Sequence, residues 1–325
     1  MKIAILSRYQ KVYSRGAENF VYELSSRLKK SHDVDILSGK DADNLALIIS
    51  NKYDLVIPIN GRSQSLKVSL GRLIGGKYKI IITGQSGIGK DDIWNIVVGK
   101  PDVFVALTKK AKKWAEAFAW GSKVVCIPNG VDLQKFNPSG NKHSFSSNKR
   151  KLNLPEGPIV LSVGALEWYK NHQQVIKAVS IMKDVSLVIV GEGPQRQELE
   201  QMGNEMLGSR FMILKASYKD MPSVYRSADV FTLPSWDREA FGLVYLEAMA
   251  SNLPIVAPDD ETRREIIEDA GVFVNIDDSE NYAEGLRKAL NANWQDKPLK
   301  QAKKYDWDKI TQEYNDLILS LSNLK

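Results

Sequence analysis

Short apolar runs alternate with amphipathic stretches along the first part of the chain. Lys2 to Ser7, Val34 to Leu37, Leu55 to Ile59, Lys79 to Thr83, Val103 to Leu107 and Val124 to Ile127 read as strands, and stretches such as Ala17 to Leu28 between them read as helices. This alternation predicts a parallel sheet with helices on both faces. Ligands of such sheets collect at the carboxyl ends of the strands. The loops after Leu6, Ile59, Thr83 and Leu107 are therefore the ones to watch. The pattern lapses from Ser139 to Lys151, which is polar, basic and aperiodic. It resumes as a second series of runs: Ile159 to Gly164, Leu187 to Gly191, Phe211 to Leu214, Asp229 to Leu233 and Pro254 to Ala257. Ile310, Tyr314, Leu317 and Leu321 then repeat at helical period.

A length of 325 residues suits two domains with ordinary cores. Hydrophobic content of 43% and charge of 26% mark a globular chain. No run of eighteen or more apolar residues predicts a membrane span. Met1 to Leu6 reads as a first strand, not a signal peptide. The single cysteine, Cys126, forbids an intramolecular disulfide and fits a reducing cytoplasm; its apolar neighbours predict a buried thiol. A net charge of +6 favours anionic partners without choosing among them.

One stretch carries most of the candidate chemistry. It runs from Leu233 through Pro234-Ser235-Trp236-Asp237-Arg238-Glu239-Ala240-Phe241-Gly242-Leu243 to Glu247 and Ala250. A strand ends, the chain turns, and a helix opens near Phe241-Gly242-Leu243. The first turn of a helix has unpaired N–H groups and a positive dipole end, which suit a phosphate. Gly242 permits close backbone approach. Glu239 and Glu247, about two helical turns apart, can reach opposite ends of an elongated ligand such as a nucleotide-sugar. By spacing alone they read equally well as surface acids, with Glu239 a favourable charge near a helix start.

The run Pro-Ser-x-x-x-Glu-x-Phe-Gly-Leu-x-x-x-Glu-Ala-Met-Ala-x-x-x-Pro-Ile-Val-Ala resembles the signature of the retaining group 1 glycosyltransferases. That resemblance implies the GT-B architecture, an α/β fold of two Rossmann-like domains facing each other across a cleft. It implies residues 1–140 as the acceptor domain, 141–305 as the donor domain, and 306–325 as a helix crossing back to the first. Further pieces fit in part. Arg15-Gly16 stands where the family has two glycines, so Gly16 is a donor-binding candidate and Arg15 an acceptor candidate. The connection Pro128-Asn129-Gly130-Val131-Asp132, with Phe136-Asn137-Pro138, resembles the interdomain linker. Lys170 matches the second cation of the family's diphosphate clamp, while Ala165 occupies the place of the arginine. Gly191-Glu192-Gly193-Pro194 resembles Gly-x-Gly-Pro. Lys215, Ser217 and Tyr218 fall in the loop that touches the nucleobase in relatives. Gln85 and Ser86 lie where many members carry a histidine. His172, at a helix start, reads as solvated.

The resemblance implies transfer of a hexosyl unit from a nucleoside-diphosphate sugar, UDP-sugar favoured, to a hydroxyl of a glycan or lipid-linked acceptor. Configuration is retained, and no metal or resident cofactor is called for. It assigns Glu239 and Lys170 as catalytic. Donor contacts fall to Gly16, Lys170, Gly191, Ser217, Tyr218, Glu239, Phe241, Gly242, Leu243 and Glu247. Acceptor contacts fall to Arg15, Arg62, Gln85 and Ser86. Nucleic acid is not expected as a partner. Peripheral contact with the inner face of a membrane is the corollary of a lipid-linked acceptor.

Three other readings compete. A transferase-like module that only binds nucleotide or sugar is motivated by Ala165 and the missing histidine. Gly84-Gln85-Ser86-Gly87-Ile88-Gly89-Lys90 matches the phosphate loop of nucleoside triphosphatases, but Asp91 replaces the required Ser or Thr. Thr108 to Trp120 carries Ala111, Trp114, Ala115 and Phe118 on one face and Lys109, Lys112, Lys113 and Glu116 on the other. Such a helix can lie on an anionic membrane, although an apolar face of this kind is more often core.

Overall fold

A computed structural model describes residues 1–10, 16–59, 61–138, 154–236 and 239–322. The chain divides into two compact units. One comprises residues 1–130, 238–241 and 307–325, the other 131–237 and 242–306.

The first unit holds a six-stranded parallel sheet in the order β2-β1-β3-β4-β5-β6. Its strands are β1 (Lys2–Leu6), β2 (Asp33–Leu37), β3 (Leu55–Pro58), β4 (Lys79–Thr83), β5 (Val103–Ala106) and β6 (Lys123–Cys126). Its helices are α1 (Gly16–Leu28), α2 (Leu45–Ser50), α3 (Arg62–Leu73), α4 (Lys90–Val97) and α5 (Lys109–Glu116). The central strands are buried along their whole length, which is why they read as continuous apolar runs and not as alternating ones. Chain order reverses between β1 and β3, so the loops leaving those strands open a crevice at their carboxyl ends.

The second unit repeats the plan in the order β12-β11-β10-β7-β8-β9, all parallel. Its strands are β7 (Ile159–Val163), β8 (Ser186–Val190), β9 (Phe211–Leu214), β10 (Val230–Thr232), β11 (Ile255–Pro258) and β12 (Gly271–Val274). Its helices are α6 (His172–Ser180), α7 (Arg196–Leu207), α8 (Met221–Tyr225), α9 (Leu243–Ala250), α10 (Glu261–Ile267), α11 (Ser279–Asn291) and α12 (Lys297–Ala302). Here the reversal lies between β7 and β10.

The last helix, α13 (Trp307–Ser322), belongs to the first unit and packs on α1. Ile310, Tyr314, Leu317 and Leu321, the residues of the predicted apolar stripe, are buried. Phe20 of α1 packs against Trp307 in a tilted arrangement and edge-on against Tyr314, with ring centroids 5.8 and 6.0 Å away. Arg27 joins Asp308 at 3.0 Å and also pairs with Glu23.

One expectation changes and one is met. Cys126 is half-buried because β6 is an edge strand. The apolar face of α5 is spent on the core: Ala115 is buried, and Ala111, Trp114 and Phe118 pack against the sheet. The stretch Ser139 to Lys151, read above as a loop, lies outside the described residues.

Gly130 seats against the indole of Trp307, where an added Cβ would lie 2.6 Å from the ring. Three ring atoms crowd that position, so a shift is forced. Gly130→Ala should therefore destabilise the chain by about 1–3 kcal/mol. Denaturant unfolding monitored by tryptophan fluorescence measures this, and an unchanged midpoint would contradict the packing.

Candidate active site

The second unit builds its site on the carboxyl ends of β7 to β10. The exits of β7 and β8 are stitched together: the amides of Gly164 and Leu166 donate to the carbonyls of Val190 and Glu192. A Cβ at Gly191 would lie 1.9 Å from the Gly164 carbonyl oxygen, so only glycine allows the two turns to touch. Beneath them lies His172, fully buried as the first residue of α6. Its Nδ1 pairs with the Ser162 hydroxyl at 3.1 Å, and Nε2 has no hydrogen-bond partner. Burial, aided by the charge of Lys170, lowers its pKa to about 4. The solvated role expected of His172 is thus overturned: it is a neutral prop under the loop that presents Lys170.

That loop carries an aromatic corner. Trp168 and Tyr169 are exposed, and Trp168 meets Trp236 edge-on with centroids 4.1 Å apart. Lys170 Nζ lies 5.6 Å from the Tyr169 ring centroid. Ala165 is exposed and brings no charge.

The exit of β10 is held by side chains at four successive carbonyls. Tyr245 Oη donates to Leu233 at 2.5 Å and Asn171 Nδ2 to Pro234 at 3.1 Å. Arg263 Nη2 donates to Ser235 at 3.0 Å and to Trp236 at 2.6 Å. The Arg263 side chain is fully buried and also pairs with Asp260 at 2.9 Å. The acidic turn Pro258-Asp259-Asp260-Glu261-Thr262 thereby finds its use. Asp260 caps α10 and anchors Arg263, while Asp259 pairs with Arg264.

Helix α9 starts at Leu243, and Gly242 precedes it in the left-handed region, φ +84°. Only Glu247 of the two motif acids is therefore helical, and the expected two-turn spacing does not hold. Glu239 sits before the helix in an irregular segment, half-buried and grouped with the first unit, as is the buried Phe241. Glu247 accepts from the Tyr225 hydroxyl at 2.7 Å. Burial pushes its pKa up to about 7, against the pull of Tyr225 and of the Lys135 charge. Ser217 is exposed and bonds Asp220 at the start of α8. Tyr218 packs under Lys135, whose Nζ lies 3.2 Å from the ring centroid.

The second unit thus gathers Lys170, Gly191, Ser217, Tyr218, Gly242, Leu243 and Glu247 at one end of one sheet. In the first unit, Gly16 opens α1 and Arg62 opens α3, on either side of the reversal. Arg62 pairs with Asp91 and reaches the Trp94 ring. Gln85 exchanges amide hydrogen bonds with the buried Asn129, and Ser86 is exposed. Asp92, buried with a pKa pushed up to about 7, lies against Gly84, where an added Cβ would be 3.1 Å from its carboxylate. Arg15, like Asp237 and Arg238, lies outside the described residues. Sequence reasoning missed Tyr225, Arg263, Asn129 and the aromatic corner. The regularity of Trp168-Tyr169-Lys170 beside a glycine turn was the one available signal.

Two twisted parallel sheets, each with a ligand crevice at its reversal, define the GT-B class of glycosyltransferase. Similarity to solved structures agrees with this. The Anabaena protein Alr3699/HepE, crystallised with UDP-glucose, superposes with TM-score 0.84 at 18% identity, covering 98% of this chain and 100% of that one. The family described as glycosyl transferases group 1 matches residues 144–306, and the chain belongs to it. A phosphatidyl-myo-inositol mannosyltransferase of Mycolicibacterium smegmatis is 29% identical over 219 residues, 64% of this chain and 54% of that protein. The sulfoquinovosyl transferase SQD2 of Arabidopsis thaliana is 30% identical over 201 residues, 56% of this chain and 37% of that protein. The chain thus matches about half the length, or less, of these curated relatives.

Glu247 makes stability pH-dependent. Its folded pKa, about 7, stands above its ordinary 4.5. The folded carboxyl keeps its proton where the unfolded one has lost it, so stability falls as pH rises through that window. Glu247→Gln should remove this part of the fall. Denaturant midpoints at about pH 5 and about pH 7.5 test it; equal pH dependence in the two chains would be evidence against a protonated buried Glu247.

Proposed function

We propose that the chain is a retaining glycosyltransferase that moves a hexosyl unit from a nucleoside-diphosphate sugar, UDP-sugar favoured, to an acceptor hydroxyl without a metal ion. The observation that carries this reading is Glu247. It is a half-buried acid within one turn and a half of a glycine-started helix, and it already accepts one hydrogen bond from a tyrosine. A carboxylate so placed suits the paired hydroxyls of a ribose, while the N–H groups of Leu243 and Val244 suit the diphosphate.

Lys170 offers the leaving diphosphate the cation it needs as negative charge accumulates. Glu239 contacts the transferred sugar. The bond from the anomeric carbon to the diphosphate breaks, and the acceptor oxygen bonds to the same face. The acceptor proton passes to the leaving phosphate oxygen. Arg62, Gln85 and Ser86 belong to the acceptor side. The triphosphatase reading loses support from Asp92, whose buried carboxyl lies against Gly84 in the very loop that would cradle phosphates.

The acceptor is a glycan or a lipid-linked glycan. Supporting the lipid-linked form, the end of α3 exposes apolar side chains: Leu73 is 81% exposed and Ile74, just beyond the helix, 67%. Trp94 and Val97 of the adjoining α4 are exposed too, and Lys67, Lys77, Lys90 and Lys100 are exposed cations on α3, α4 and the segments that follow them. Among the described residues no helix is long and apolar enough to cross a membrane, so any contact would be peripheral.

Glu239→Ala should lower transfer from a nucleotide-sugar by roughly 10²–10³-fold. The assay is product formation against a panel of UDP-, GDP- and ADP-sugars, with chelator present and the product anomer read by NMR. Unimpaired Glu239→Ala turnover would sink the assignment. Replacing both Leu73 and Ile74 by Glu should abolish sedimentation with vesicles containing anionic lipid; unchanged sedimentation would remove the membrane face from the proposal.

A further inference from the structure

The segment that follows the first sheet is clamped onto the second unit beside Glu247. The Asp132 carboxylate accepts from the amides of Gln134 and Lys135 at 2.9 and 3.0 Å. Phe136 is fully buried, its ring centroid 5.8 Å from those of both Tyr218 and Tyr225. Its carbonyl accepts from the Ser251 hydroxyl at 3.4 Å, and Arg226 donates to the next carbonyl, of Asn137, at 3.3 Å. Lys135 is thereby held with Nζ 3.2 Å from the centroid of the Tyr218 ring. Lys135, Tyr218, Phe136, Tyr225 and Glu247 form one continuous wall.

We infer that Lys135 is a positioning residue of the donor site, the cation that favours the ionised form of Glu247, which can accept from both ribose hydroxyls. This rests on the donor reading given above. Glu247 is half-buried against the fully buried Tyr225, surroundings that favour its neutral form, and a protonated acid accepts fewer hydrogen bonds. The groups around it leave Lys135 as the counter-charge. Tyr225 on α8 is neutral. β10 and β11 carry no ionisable side chain. On α12, which packs on α9, Lys297 and Lys300 pair with Asp269 and Asp296. The charge of Lys135 already pulls the pKa of Glu247 down against burial.

The test is calorimetric titration of the full chain with UDP, GDP and ADP across pH. Lys135→Met should move the pH profile of nucleotide affinity toward alkaline values by about one unit, the low end of an opposite charge's effect. Affinity at neutral pH should fall roughly fivefold to tenfold. Lys135→Arg should restore both, and thermal melting without nucleotide should be unchanged in either. An unmoved profile in Lys135→Met, in a chain where Glu247→Ala abolishes binding, would overturn this inference and leave the donor reading standing. If none of the three nucleotides binds the unaltered chain, the donor reading fails and this inference with it.

Discussion

The exit of β10 is the constraint on which the site depends. A loop at the end of a buried strand leaves backbone carbonyls without sheet partners, and each must be satisfied. Here four consecutive carbonyls are taken by Tyr245, Asn171 and Arg263. These come from α9, from the turn before α6, and from α10. The loop that leads to the motif acids is thus tied to three other elements. The cost is a buried guanidinium, which the fold offsets with one carboxylate and three oxygen acceptors from the loop. A buried charge whose two terminal nitrogens both find acceptors is tolerable, whereas stripped of them it would be among the most destabilising groups in the chain.

Charge at the site follows a similar economy. The half-buried Glu247 and the buried Asp92 are acids pushed up toward neutrality, and His172 is a buried imidazole pushed down. All three are neutralised more easily than in water, first of all because burial disfavours charge. Their consequences differ with what lies around them. His172 has a serine on one nitrogen and nothing on the other, which suits a neutral ring. Glu247 has a lysine in its field and a tyrosine as donor, which hold it near the balance point.

Much of the fold was legible because both sheets are parallel and covered on both faces. Their strands read as unbroken apolar runs, and glycine turns mark their carboxyl ends. The first six runs match β1 to β6 within about two residues. The long motif around Gly242 was legible for a related reason: a helix starting directly from a left-handed glycine leaves a local pattern. The partners of that motif were not. Arg263 looks like one charge in an acidic turn, Tyr225 like one aromatic in a short helix, and Asn129 like turn chemistry. Each acquires its role from residues far away in sequence, and no local periodicity records that. His172 misled for the complementary reason: polar residues at helix starts usually face water, and this one lies under two glycine turns.

The departures from family pattern are best weighed by what the surroundings do with them. Asp91, which spoils the phosphate-loop reading, is paired with Arg62, while the next residue, Asp92, turns inward against Gly84. The loop from Gly84 to Lys90 is therefore built to carry carboxyl groups, and a triphosphate there would meet two of them. Ala165 is different. It lies exposed on a loop that is otherwise firmly held, with His172 beneath it, Gly191 against the neighbouring Gly164, and the Trp168–Trp236 contact beyond it. Nothing in the loop has collapsed to fill the lost side chain, and the geometry that presents Lys170 is kept. A scaffold that had drifted from diphosphate binding would be expected to lose that support first. Its retention is in keeping with the donor role proposed above for Lys170.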